Sequence, residues 1–273
     1  MITHLQIGQL AEICRQASDV EILPRFRALD PEHIDEKSSF DDLVTIADQA
    51  AEKLIFKRLQ ELFPDALLIG EESVYEDPQA LEKFEDAELS FIVDPIDGTW
   101  HFANGSSAFG ILLAVASKGV TQAAMIYEPV TGDYQWAIKG AGAFECANGK
   151  NIPLQVGRHS ERPIADTICT FSFGVFKNED RVRAINAASQ MGRIMDYRCS
   201  AMEYRLFNTA ATAFAIHRGV LNLWDHAPGL LIATEAGGVA RMLTGEQYHA
   251  DSEGILIVAE SEERWQEVAA LFA

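Results

Sequence analysis

Three acidic groups, widely separated along the chain, offer the residue types from which a metal-dependent phosphate site is built: Glu71-Glu72, the string Asp94-Pro95-Ile96-Asp97-Gly98-Thr99, and Asp225. Pro95 fixes its own φ and restricts the backbone of Asp94, so Asp94 and Asp97 are held close together on a rigid turn. Carboxylates held that close repel unless a proton, a Lys or Arg, or a divalent cation neutralises them. Residues 90–110 contain no Lys or Arg, which favours a metal. Oxygen donors suit a hard cation such as Mg²⁺, which keeps several waters and binds through a few carboxylates plus substrate phosphate. Zinc would call for His or Cys, which are not clustered there. Gly98 lets backbone approach an anion closely, its neighbouring N–H groups can cradle phosphate, and Thr99 adds a hydroxyl. Taken alone, the Asp-Pro-x-Asp-Gly string also has the composition of a plain surface turn. Asp225 alone could equally be a helix cap.

The elements around these residues decide whether they can meet. Residues 67–70 and 91–93 are short apolar runs that read as strands, the first delivering Glu71 and the second Asp94 at its end. Neighbouring side chains of an extended segment face opposite ways, so one of Glu71 and Glu72 is expected to face the site. Residues 219–224 are strand-like, with Asp225 at their end, and a helix is expected over 226–234 with Gly237-Gly238 as its stop. Amphipathic helices are predicted over 5–17 and 42–63, the latter ended by Pro64. Within it Asp48 reads as an ordinary solvated acid. Strands over 109–117, 122–129 and 134–138 form an antiparallel meander, and Asn148-Gly149 marks a further hairpin turn. Beyond residue 157 strands and helices alternate, with strands near 167–173, 221–224 and 254–258.

A length of 273 residues with 48% hydrophobic composition permits a large core in one domain or two closely packed subdomains. The formal net charge of −19 argues against nucleic acid and anionic membrane as partners. Bound Mg²⁺ would reverse the sign of the field locally, which reconciles an acidic protein with an anionic phosphate ester. There is no basic-then-apolar start, and no apolar run long enough to span a bilayer, so a cytoplasmic protein is expected. Cys14, Cys146, Cys169 and Cys199 are scattered and read as small hydrophobes.

Gly70-Glu71-Glu72-Ser73, the Asp94 to Thr99 string, Trp224-Asp225-x-Ala227-x-Gly229 and Glu235-Ala236-Gly237-Gly238 resemble, in order and spacing, the inositol monophosphatase family of Mg²⁺-dependent, lithium-sensitive phosphatases. Asp42-Leu43-Val44-Thr45-x-x-Asp48 matches the family's early segment, and the likeness is weakest over 160–217. The resemblance implies an α+β layered sandwich with the site between an N-terminal subdomain, 1–155, and a C-terminal one, 156–273. It implies two or three Mg²⁺ ions: Glu71, Asp94 and the Ile96 carbonyl on one, Asp94, Asp97 and Asp225 on a second, and Glu71 with waters on a weaker third. Thr99, bonded to Asp48, would orient and help deprotonate the attacking water, with Glu71 also in the catalytic set. The Gly98 and Thr99 N–H groups would hold phosphate. The expected substrate is a small polyol or sugar phosphate, inositol monophosphate first, and a homodimer is expected from the resemblance alone.

The departures concern substrate. Relatives that hydrolyse inositol phosphate usually carry Glu seven residues before the metal-binding Asp, where this chain has Arg218. That Arg either meets a second anionic group or polar sugar, or is a solvated residue at a helix end. Asp225 and Ala201 are further candidate substrate contacts, and Trp100-His101 replaces the common Thr-Asn. Histidinol phosphate, fructose 1,6-bisphosphate and 3′-phosphoadenosine nucleotides remain alternative substrates. A non-catalytic, metal-binding regulatory protein is the reading from another class.

Overall fold

The computed structural model describes residues 3–37 and 43–272. Helix α1 (His4–Ala17) opens on a capping box in which Thr3 and Gln6 satisfy each other's backbone N–H groups. A two-stranded ribbon, β1 (Ile34–Glu36) and β2 (Leu43–Thr45), leads into α2 (Ile46–Leu62). Seven strands then form the first sheet: β3 (Leu67–Gly70), β4 (Ser90–Asp97), β5 (Gly110–Ser117), β6 (Val120–Tyr127), β7 (Tyr134–Ile138), β8 (Ala143–Ala147) and β9 (Lys150–Pro153). They neighbour one another in chain order, β3 and β4 parallel and the rest antiparallel. Helices α3 (Glu71–Glu76) and α4 (Gln79–Glu82) lie between β3 and β4, and α5 (Thr99–Ala103) follows β4.

The second sheet has the order β11-β10-β12-β14-β13, built from β10 (Ile168–Phe171), β11 (Arg193–Met195), β12 (Phe214–Val220), β13 (Val239–Met242) and β14 (Glu253–Ala259). Helices α6 (Asn178–Ala188), α7 (Ser200–Asn208), α8 (Leu223–Glu235) and α9 (Glu262–Ala270) complete the chain. Period-two alternation sorts the layers. On β5, Ile111, Leu113 and Val115 join the core under α1 and α2, whereas Leu112 joins the core containing Tyr204, Phe207 and Ile232 of α7 and α8. That second core continues to Ala215, Leu256 and Val258 of the second sheet, whose other face meets α6 and α9. The result is an α+β sandwich of five layers, helices alternating with sheets.

Three expectations change. The helix predicted from residue 42 begins at Ile46, because the Thr45 side chain caps it and 43–45 are extended; residues 41 and 42 lie outside the described residues. The strand foreseen over 221–224 ends earlier, at Val220, and α8 is already helical at Leu223 with Asn222 at its N-cap. A short, mostly apolar run cannot by periodicity be told from the first turn of a buried helix. Finally, β4 runs through Asp97, so Asp94 and Asp97 lie within a fully buried strand, not beyond its end. Its register against β5 shifts between these two residues, where Pro95 has no N–H to give to a ladder.

Candidate active site

The shift in β4 turns Asp94 and Asp97 towards one cavity, and the first turn of α8 brings Asp225 to them. One carboxylate oxygen from each of the three lies within 4.8 Å of the others. Asp94 Oδ1 accepts the Ile96 N–H at 3.0 Å, which fixes its plane. Asp97 Oδ2 accepts the Ala201 N–H and the Cys199 thiol, the latter at 3.2 Å, from the start of α7. Asp225 Oδ2 accepts Asn222 Nδ2 at 3.1 Å. Burial holds the Asp94 carboxyl well above the usual carboxylate range, with the nearby charges of Glu71, Asp97 and Asp225 adding to it. Burial likewise raises Asp225, and pushes Asp97 up to about 6. Three buried aspartates that each resist ionisation form a site short of positive charge. Their oxygens fit a hard divalent cation, which would relieve that shortage.

Glu71 comes from the first turn of α3 to line the same cavity, where its charge adds to the raising of Asp94. Glu52 places it: its two carboxylate oxygens accept the Glu72 and Ser73 N–H groups at 2.9 and 3.0 Å, satisfying the start of α3. A Cβ at Gly70 would lie 2.2 Å from Glu52 Oε2, so a side chain there would displace the carboxylate that caps α3. Glu71 lines the cavity and Glu72 does not, as expected of the pair, although both are helical rather than extended and both accept from Lys37. Lys37 Nζ bonds Glu71 Oε1 at 2.8 Å and Glu72 Oε1 at 2.7 Å. A basic residue therefore does reach the acidic group, from outside residues 90–110, and neutralises its Glu71 side; the three aspartates keep their deficit.

Asp48 is buried, contrary to the solvated acid expected of its helix. Its Oδ2 accepts the Thr45 N–H at 2.9 Å and hydroxyl at 2.6 Å, completing a capping box at the start of α2. Its Oδ1 accepts from Thr99 Oγ1 at 3.1 Å, and the same hydroxyl lies 3.0 Å from the Ile96 carbonyl. Burial pushes the Asp48 carboxyl up to about 7, a value suited to exchanging a proton near neutrality. Between Thr99 and Asp97, Gly98 has φ +89, and a Cβ there would meet the Ala108 carbonyl at 2.8 Å and Cys199 Sγ at 3.0 Å.

Glu71, Asp94, Asp97, Gly98, Thr99 and Asp225 line a cavity of about 750 Å³ that continues past the aspartates to Ser172, Asp196, Glu203, His217 and Arg218. Two candidate substrate contacts fall differently from expectation. Ala201 is buried, with its N–H committed to Asp97, so it supports the carboxylate from behind and is absent from the cavity wall. Arg218 does line the cavity, from β12 and not a helix end; it pairs with Asp180 at 3.1 Å and lies over the Phe176 ring. His101 lines it too, with its ring nitrogens engaged by Ser106 Oγ at 3.1 Å and the Tyr197 carbonyl at 2.7 Å. Sequence reasoning missed Lys37, Glu52 and Cys199. Only Asp48 had left a local signal, the Thr45-x-x-Asp48 spacing of a capping box.

Residues 10–272 match the family model described as the inositol monophosphatase family. The chain is 28% identical over 228 residues to the fructose-1,6-bisphosphatase/inositol-1-monophosphatase of Thermotoga maritima, covering 82% of this chain and 81% of that one. It is 30% identical to the Nus factor SuhB of Pasteurella multocida (81% and 79% covered) and 30% identical to the inositol-1-monophosphatase of Bacillus subtilis (79% and 78%). The fold superposes on the Thermotoga maritima IMPase with a TM-score of 0.80 at 22% identity, over 98% of this chain and 96% of that one. Matched along almost its whole length, with Glu71, Asp94, Asp97 and Asp225 gathered at one cavity, the chain belongs to the inositol monophosphatase family of phosphatases.

Proposed function

We propose that the protein is a Mg²⁺-dependent phosphomonoesterase acting on a small polyol or sugar phosphate, with inositol monophosphate as the reference substrate. The observation that carries this reading is the convergence of Asp94, Asp97 and Asp225 within 4.8 Å, beside a Thr99 hydroxyl bonded to Asp48. In this reading Glu71, Asp94 and the Ile96 carbonyl hold one ion and Asp94, Asp97 and Asp225 another, Glu71 also serving a weaker third. Mg²⁺ there supplies Lewis acidity to the phosphate oxygens and to the attacking water. Thr99 Oγ1 holds that water and passes its proton towards Asp48, with Glu71 as the neighbouring acid. The Gly98 and Thr99 N–H groups receive the charge that grows on the phosphate oxygens. The P–O bond to the alcohol breaks as the water oxygen bonds to phosphorus.

A homodimer, subdomains at 1–155 and 156–273, and a cytoplasmic location belong to the same reading. A second substrate reading is favoured by Arg218, a cationic residue of the cavity lining whose guanidinium pairs with Asp180: a substrate with a second anionic group, such as fructose 1,6-bisphosphate. Phosphate release from inositol 1-phosphate, histidinol phosphate, fructose 1,6-bisphosphate and 3′-phosphoadenosine 5′-phosphate, each with and without Mg²⁺, tests both. No Mg²⁺-dependent release from any of them refutes the phosphatase reading, and a clear preference for the bisphosphate replaces the first substrate with the second.

A further inference from the structure

Glu203 lines the cavity, is 3% exposed, and has no part in the metal or phosphate chemistry proposed above. It stands in the first turn of α7, and its side chain runs back towards the helix start, as side chains on a helix do. There Oε1 accepts the Tyr197 N–H at 3.3 Å, while Oε2 lies 3.4 Å from Nδ1 of His217 on β12. His217 is itself buried and stacked on Tyr204, with centroids 5.0 Å apart and planes at 19°. Burial pushes the Glu203 carboxyl up to about 8 and lowers the His217 imidazole to about 4. Near neutrality acid and base are therefore both uncharged, and the contact avoids the cost of buried ionic charge.

What Glu203 holds leads to the site in two directions. Tyr197 gives its N–H to Glu203, and its carbonyl accepts from Nε2 of His101, two residues beyond Thr99, at 2.7 Å. A carbonyl can only accept, so His101 Nε2 carries the proton and Nδ1 accepts from Ser106 Oγ at 3.1 Å. Next in the chain, Arg198 has φ +50, a left-handed conformation that a long L side chain adopts at a cost. Across that turn Cys199 and Ala201 present the thiol and the N–H that Asp97 Oδ2 accepts. Cys199 occupies the N-cap of α7, yet its side chain does not cap the helix, its thiol being given to Asp97. Glu203 supplies instead the tether for the incoming chain. Strained backbone persists where its surroundings fix it, and Glu203 fixes the residue just before the strain.

We propose that Glu203 is a positioning residue: by holding the Tyr197 main chain and abutting His217 of β12, it sets residues 197–201 so that His101 stays fixed beyond Thr99 and Asp97 keeps its two donors. The inference rests on the phosphatase reading for the reaction it serves, though not for the geometry it fixes. Without the tether the Tyr197 N–H loses its acceptor, the backbone at Arg198 relaxes, and Cys199 and Ala201 withdraw from Asp97. Metal retention suffers before turnover does.

The test compares Glu203→Gln, which keeps an acceptor for Tyr197 and matches the uncharged acid, with Glu203→Leu, which keeps the bulk and loses both contacts. Its first readout needs neither metal nor turnover: the rate at which dithiobis(nitrobenzoate) modifies each thiol of the native protein in EDTA, assigned by peptide mapping. Cys14 and Cys199 are both buried. Glu203→Leu should raise the Cys199 rate about tenfold, the scale of one buried hydrogen bond, with Cys14 unchanged, and Glu203→Gln should stay near the wild type. The second readout is phosphate release from inositol 1-phosphate and glycerol 2-phosphate. Glu203→Leu should raise the Mg²⁺ concentration for half-maximal activity about tenfold, with kcat at saturating Mg²⁺ within about twofold, and Glu203→Gln should restore it. Phe171→Leu, a truncation in the core under α6 and α9 and off the cavity wall, should lower Tm and move neither readout. Should Glu203→Leu not fold, His217→Phe keeps a ring against Tyr204, removes the nitrogen facing Glu203, and carries the same expectations at a few-fold. An unchanged Cys199 rate, a Glu203→Gln variant as reactive as Glu203→Leu, or a Mg²⁺ requirement that rises equally in Phe171→Leu overturns the positioning role. Failure of the wild type to release phosphate refutes the phosphatase reading instead, and the thiol rates then decide by themselves whether Glu203 sets the wall.

Discussion

The floor and the mouth of the cavity are built by opposite means. The floor comes from one short stretch, Asp94 to Thr99, completed by single residues from α2, α3 and α8, and one carboxylate oxygen of each aspartate there is held by a named donor. The wall towards the mouth gathers residues from α5, β12 and the segments around 172–176 and 196–200, and its members are exposed or paired with residues from distant elements. A floor made by local geometry can serve any phosphate ester, whereas a wall made by tertiary assembly is free to vary with the alcohol. Substitutions should therefore divide: losses in turnover from the floor, changes in preference from the mouth.

The largest expected effect tests the floor. Asp94→Asn or Asp225→Asn should lower Mg²⁺-dependent kcat by on the order of 10³ or more, with the circular dichroism spectrum retained, since each removes a charge that burial already resists. Near-normal turnover in either variant would remove that residue from the metal set. Thr99→Ala and Asp48→Asn come next, each expected to cost about 10² in kcat. Because they act as one hydrogen-bonded pair, the double variant should be little worse than either single one. Additive losses would mean that the two act separately.

The buried carboxyls also make a stability prediction whose sign is unusual. Burial pushes Asp97, Asp48 and Glu203 up to about 6, about 7 and about 8 in the folded chain, whereas the unfolded chain releases these protons near pH 4. The folded state therefore holds more protons through this window, so metal-free stability falls as pH rises from about 4 to about 8. Melting curves in EDTA should show that decline, Asp97→Asn should flatten its lower part, and the Mg²⁺-induced rise in Tm should grow with pH. A Tm gain from Mg²⁺ that is equal at pH 5 and pH 8 would contradict it.

Legibility followed the same division. Asp94 to Thr99 could be read because proline, glycine and two aspartates within six residues constrain one another locally. The meander of β5, β6 and β7 could be read from apolar runs bounded by turn residues, whereas the layering came from the resemblance. What stayed hidden depended on partners far along the chain: Lys37 has no sequence relation to Glu71, and Glu52 caps a helix that reads as an extended segment. Cys199 looked like core filler because the carboxylate it meets, Asp97, is far along the chain. Arg218 could be located but not interpreted, since Asp180 reaches it from α6.

Cys199 offers a smaller test on the boundary between the two regions, since its thiol donates to Asp97 from the wall. Cys199→Ala should raise the Mg²⁺ concentration for half-maximal activity a few-fold, the scale of one neutral hydrogen bond, and should lower the Mg²⁺-induced shift in Tm to match. Cys199→Ser keeps a donor and should stay near the wild type. Equal behaviour of the two would reduce the thiol to packing.

The smallest effect belongs to Arg218. Its guanidinium is divided between Asp180 and the face of Phe176, so part of its charge is already spent and its pull on substrate is that of a paired, partly exposed group. Arg218→Glu should move the ratio of kcat/KM towards inositol 1-phosphate and away from fructose 1,6-bisphosphate by only a few-fold, with kcat on glycerol 2-phosphate unchanged. Asp180→Asn should do the reverse, because it releases the guanidinium towards the cavity while leaving every cavity residue in place. If Arg218→Glu shifts the ratio and Asp180→Asn does not, the ion pair is incidental and the arginine acts alone. If neither shifts it, Arg218 serves only to tie β12 to α6.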